Sequence, residues 1–176
     1  MELLAVLTGT KKTLSALTNL YKGCIAVNNR FIIKKIEKFS EKTFDERKVK
    51  EFVNGIGIYR WEEIQDLVIH QLTQAESVAK AGYERNLVEA LLAKRISDAE
   101  FWKMNFVLQH LYTFDVSKLI KLYDGEDCPA PLKDSFAFYG LLDVSRMHFE
   151  DGEALSFDSI YTITDFGKKF VESIRD

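Results

Sequence analysis

Leu142-Asp143-Val144-Ser145-Arg146-Met147-His148-Phe149, then Asp151-Gly152, then Ser156-Phe157-Asp158-Ser159-Ile160-Tyr161-Thr162-Ile163-Thr164, decide how the C-terminal part folds. Leu142 to Phe149 alternates well enough for a strand. Asp151-Gly152 is a hairpin turn signal, because both central residues of a type I′ turn need positive φ. A return strand over Ser156 to Ile163 follows. Thr164 caps a last helix that carries Phe166, Phe170, Val171 and Ile174. Upstream, Leu132 to Tyr139 reads as a helix that Gly140 ends. The tail is therefore expected to be helix, two-stranded hairpin, helix.

The boundary before it is Asp124-Gly125-Glu126-Asp127-Cys128-Pro129-Ala130-Pro131, which holds both prolines of the chain and three acids. It divides an expected helical bundle over residues 1–123 from a C-terminal unit over 124–176. In the bundle, Thr43-Phe44-Asp45-Glu46 starts a helix that runs to about Val53, and Asn54-Gly55-Ile56-Gly57 breaks it. Trp61 to Ala79 forms an amphipathic helix, with Trp61, Ile64, Val68, Leu72, Ala75 and Ala79 on one face. Residues 83–93 form another. Ser97-Asp98-Ala99-Glu100 is a capping box. The helix it opens carries Phe101, Trp102, Met104, Phe106, Val107, Leu108 and Leu111, apolar nearly all round, and is expected to be central. A shorter helix spans Asp115 to Tyr123.

At the N-terminus, Leu3, Leu7, Thr10, Leu14, Leu17 and Tyr21 make a heptad seam. Gly9 and Gly23 each cost about 1 kcal/mol against alanine in a helix interior. The seam packs inside the bundle or serves as a homodimer contact through Leu3, Leu7, Leu14, Leu17 and Tyr21. A membrane-surface helix is the third reading.

The chain has 176 residues, 47% hydrophobic and 29% charged, with two cysteines. This excludes a disordered tail, a collagen and a disulfide-dense scaffold. No apolar run approaches 18 residues, so no integral membrane span is expected. Met1-Glu2-Leu3-Leu4 lacks the basic start of a secretory signal. With the separated cysteines Cys24 and Cys128, this gives a cytoplasmic expectation. The net charge of -3 is uneven: residues 1–60 balance at +6 and residues 61–176 at -9. Such asymmetry marks a binding face or two halves that attract each other.

Tyr139-Gly140-Leu141-Leu142, a hairpin, and Tyr161-Thr162-Ile163-Thr164-Asp165-Phe166-Gly167 together resemble a winged-helix element. In that family a Gly-Leu-Leu strand enters the wing, and a Tyr-x-Ile-Thr-x-x-Gly segment leaves it and opens a helix. The proline-rich loop between the preceding helices departs from the family. Lys80-Ala81-Gly82-Tyr83-Glu84, Arg95 to Phe101 and Leu111 to Val116 are similar to a pattern in uncharacterised helical bacterial and prophage proteins, some ending in a winged-helix-like hairpin. That resemblance implies a bacterial or phage origin and brings no activity.

No nucleophile elbow, phosphate loop, calcium loop or Cys/His zinc spacing is present, so neither a catalytic residue nor a cofactor or metal is expected. His70 reads as a solvated helix residue, His110 as a partly buried structural one, and His148 as a hairpin residue among acids. From Tyr123 through Asp165, ten acids face only Lys133 and Arg146. A wing bearing Glu150, Asp151 and Glu153 would be repelled by phosphates. The expectation is a non-enzymatic interaction protein, in one version an inhibitor or modulator of a host nucleic-acid-handling complex. Its partner would be another protein, met through Asp124, Glu126, Asp127, Glu150, Asp151 and Glu153. The alternative is a winged-helix DNA-binding transcriptional regulator. Basic candidates for an anionic partner are Lys11, Lys12, Arg30, Lys34, Lys35 and Lys38.

Overall fold

The computed structural model describes residues 19, 22–23, 29–42, 44–151 and 154–175; for 146–151 and 154–158 it describes the backbone alone. Among these residues the protein is mainly helical, with one small antiparallel sheet. The helices are α1 (Arg30–Phe39), α2 (Glu46–Ile56), α3 (Ile58–Gln74), α4 (Val78–Leu92), α5 (Asp98–His110), α6 (Thr113–Tyr123), α7 (Ala130–Phe138) and α8 (Asp165–Ile174). The strands are β1 (Leu142–Asp151) and β2 (Ala154–Ile163), between α7 and α8. No helix among the described residues is long and apolar enough to cross a membrane. The chain divides into two compact units, residues 1–113 with 174–176, and residues 114–173. Helix α6 thus groups with the hairpin rather than with the helices before it.

In the first unit each start has a local cause. Asn29 accepts from the Ile32 amide, Asp45 from those of Arg47 and Lys48, and Ser77 from that of Lys80. The capping box forms as the sequence reads: the Ser97 hydroxyl accepts from the Glu100 amide, and the Glu100 carboxylate accepts from the Ser97 amide at 2.7 Å. The break after α2 falls at Gly57, at φ 85°, a left-handed value that suits glycine. The amphipathic stretch expected from Trp61 to Ala79 is shorter at its end, stopping at Gln74 before α4 begins.

The central helix is α4, not α5. It packs on α1, α3 and α5, and also touches α2. Leu87, Val88, Ala90, Leu91 and Leu92 are buried, and so are Lys80, Glu84, Arg85 and Asn86. Helix α5 keeps an outer face, where Phe106 is 55% exposed. His110 also lies outside. Its ring stacks on Phe106 at 4.2 Å, so it is exposed rather than partly buried.

Two buried lysines close helix ends. The last carbonyls of a helix have no partner within it. Lys35, only 1% exposed, donates to the carbonyls of Thr73 (3.0 Å) and Ala75 (2.9 Å) at the end of α3. Lys80 donates to those of Gln109 (3.0 Å) and Leu111 (2.8 Å) at the end of α5, and pairs with Glu76 at 2.8 Å. A positive charge there also meets the negative end of the helix dipole. Lys35→Met keeps the stem but strands two carbonyls. It is expected to cost about 2–3 kcal/mol by urea denaturation, since each unsatisfied buried group costs about 1–3 kcal/mol. Unchanged stability would remove the lysine from this role.

In the second unit, β1 and β2 pair in the register Leu142↔Ile163 through Asp151↔Ala154. One knot of bonds ties the hairpin base to α8. The Leu141 carbonyl accepts from the Thr164 amide (3.2 Å), the Thr164 hydroxyl (3.1 Å) and the Tyr123 hydroxyl (3.1 Å). The same Thr164 hydroxyl lies 2.8 Å from the Gly140 carbonyl and accepts from the Gly167 amide at 2.9 Å, so Thr164 caps α8 as its position predicts. Gly140, at φ 72°, ends the α7 segment.

Candidate interaction surface

The residues expected to meet a partner fall into three groups. Leu3, Leu7, Lys11, Lys12, Leu14, Leu17, Tyr21 and Cys24 lie outside the described residues, as do Glu153 and the side chains of His148, Glu150 and Asp151. Arg30 and Lys34 are exposed on α1, and Lys38 is half-buried beside Glu41. Lys35 leaves this basic face altogether, because the carbonyls at the end of α3 hold it inside. The third group, Asp124, Glu126 and Asp127, sits on the second unit.

The loop after α6 builds that group. Gly125 is left-handed at φ 90°, which lets the Gly125 and Glu126 amides turn back to the carbonyls of Leu122 and Lys121. All three acids then stand in solvent. Glu126 pairs with Lys121 at 3.2 Å and Asp127 with Lys133 at 2.6 Å. The Lys133 hydrogen bond holds the Asp127 carboxyl below the usual range, with help from the Cys128 amide. Exposed pairs of this kind contribute little to stability. Cys128 is buried beside them, and burial pushes its thiol up.

Helix α7 starts at Ala130, with a proline in its first turn, and leads into β1. Pro131, Asp134 and Phe138 are spaced to share one face, and all three are exposed, Phe138 by 83%. Asp134 accepts from the Tyr161 hydroxyl of β2 at 2.6 Å, which links this face to the hairpin base. There Val144 and Ile163 are also exposed. A groove of about 320 Å³ runs between the α6–α7 loop and the base, lined among others by Leu122, Asp127, Lys133, Tyr161 and Ile163. Its mixture of apolar side chains, Leu122 and Ile163, with paired charges suits contact with a polypeptide.

The first unit hides a different chemistry. Glu84 is buried, and its carboxylate accepts from the Asn105 amide at 2.5 Å. Burial pushes its carboxyl up to about 7, with Asn105 and Lys80 acting in the opposite direction. Nothing local in the sequence marks Lys80, Glu84 and Arg85 as interior. No group of three or more His, Cys, Asp or Glu side chains among the described residues could hold a metal ion. No protein-family model, curated protein or solved structure matches this chain.

Proposed function

We propose that this is a non-enzymatic interaction protein whose second unit is winged-helix-like and meets another protein. The order α6, α7, hairpin, α8 supports the winged-helix reading, as does the bond knot around Thr164. One observation carries the functional half. The helix before the hairpin, where a DNA reader would present cations, offers Pro131, Asp134 and an 83% exposed Phe138. Its one cation, Lys133, is already paired with Asp127. Phosphate docking needs grouped Lys and Arg on the contact surface. An exposed aromatic beside acids instead suits a protein partner with a basic rim. An inhibitor or modulator of a host nucleic-acid-handling complex is the concrete version, since such complexes present basic grooves.

The test is fluorescence anisotropy with mixed-sequence duplex DNA at about 50 and about 200 mM salt, a range over which phosphate contacts lose orders of magnitude in affinity. No binding at the lower salt is the expected result. Tight, salt-sensitive binding would promote the DNA-binding regulator instead. Phe138→Ala is expected to leave stability within about 0.5 kcal/mol, as for exposed positions generally. A clear loss of stability would give Phe138 a role in folding rather than in contact.

A further inference from the structure

We infer that a recess in the first unit, between the end of α1 and the middle of α4, is a binding site for a small phosphate-type anion. Its volume is about 120 Å³, and Lys38, Glu41, Lys42, Gly82, Arg85 and Asn86 line it. Lys38, Lys42 and Arg85 carry positive charge, and Glu41, the one acid among the six, pairs with Lys38. Arg85 is the fixed element. It is only 6% exposed, and its Nη1 donates to Glu89 (2.9 Å) and to Asn86 (3.3 Å). The guanidinium lies over the Phe44 ring at 5.2 Å. These contacts hold the fork still, so little side-chain entropy remains to be lost on binding. Its Nε is covered and has no acceptor among the described residues. Glu89 meets the guanidinium charge, but a buried N–H without an acceptor is costly, and an anion nearby offsets that cost.

Gly82 shapes the floor. A glycine inside a helix costs about 1 kcal/mol against alanine. Here a Cβ would meet the Lys38 stem at 3.2 Å, so its absence lets that lysine lie along α4. Lys42 stands exposed at the mouth. Arg85 thus supplies a preorganised guanidinium and Lys42 a point charge at the mouth, while Lys38 brings a charge already shared with Glu41. That combination recognises phosphate and phosphomonoesters. The site lies on other elements than the surface proposed for the partner and does not depend on it.

The experiment titrates the full chain with inorganic phosphate at low ionic strength, followed by amide chemical shifts, with chloride as the control anion. Saturable shifts confined to residues 38–42 and 82–86 are expected, with at least tenfold weaker binding in Lys42→Ala. That variant should keep its melting temperature, because Lys42 is exposed. A phosphomonoester such as AMP is the second arm. Equal or tighter binding of AMP identifies an esterified phosphate as the natural group, and weaker binding identifies free phosphate. Shifts that do not saturate, that chloride reproduces, or that persist unchanged in Lys42→Ala overturn the site. Binding of duplex DNA without binding of phosphate overturns it as well.

Discussion

Gly167→Ala is expected to destabilise the second unit by about 3 kcal/mol, the upper end of what overpacking a well-filled site costs. A Cβ at position 167 would run into the Tyr123 hydroxyl and into the backbone carbonyl of Leu141. The hydroxyl can be removed, but the carbonyl cannot yield. It is the acceptor for Thr164 and Tyr123, and Thr164 is the cap that starts α8. Moving it loosens the hairpin base and the helix start together. Tyr123→Phe alone should cost only about 1 kcal/mol, the net value of one hydrogen bond. Tyr123→Phe combined with Gly167→Ala should not recover the loss, because the Leu141 carbonyl remains in the way. Hydrogen exchange at the Thr164 amide, read beside urea denaturation, reports on this unit specifically. Wild-type protection of that amide in Gly167→Ala would refute the steric argument.

The second large effect depends on pH. Glu84 carries a carboxyl raised from the ordinary 4.5 to about 7 by burial. Between those two values the folded protein binds more protons at this site than the unfolded chain does. Stability from this group is therefore complete below about pH 4.5, falls as pH rises through about 7, and is flat beyond. The interval corresponds to about 3 kcal/mol at 1.36 kcal/mol for each pKa unit. Glu84→Gln keeps the acceptor for Asn105 and has no charge to desolvate. It should be more stable than the wild type by about 3 kcal/mol at pH 8 and nearly equal to it near pH 4. Taking the difference between the two proteins removes the titration of every other group. Parallel stability curves from pH 4 to pH 8 would show that Glu84 does not titrate in this range.

The fold was legible wherever the cause is local. The Ser97 and Glu100 capping box needs only four consecutive residues, and it forms as read. Alternation over Leu142 to Phe149 implied the hairpin, and the pairing continues past it to Asp151↔Ala154. Asp151 is thus in the ladder, and Gly152, the other half of the expected turn, lies outside the described residues. The cap at Thr164 was equally local. The candidate surface was half legible. The charge of the 124–127 loop stands in the sequence, but the pairs Glu126–Lys121 and Asp127–Lys133 do not.

What tertiary structure alone decided has one physical reason: the partner lies far along the chain. Lys35 reads as one of several exposed lysines, and its carbonyl acceptor on Thr73 is 38 residues away. Helix α4 reads as charged on one side because hydropathy assigns Lys80, Glu84 and Arg85 to water. Inside the protein the carbonyls at the end of α5, the Asn105 amide and the Phe44 ring take the place of that water. Gly167 reads as a glycine of a motif, and only the approach of the Leu141 carbonyl explains why no side chain fits. Caps, turns and alternation are properties of neighbouring residues, so the sequence by itself determined them. Which charges could leave solvent depended on donors, acceptors and a ring face that only the folded chain brings beside them.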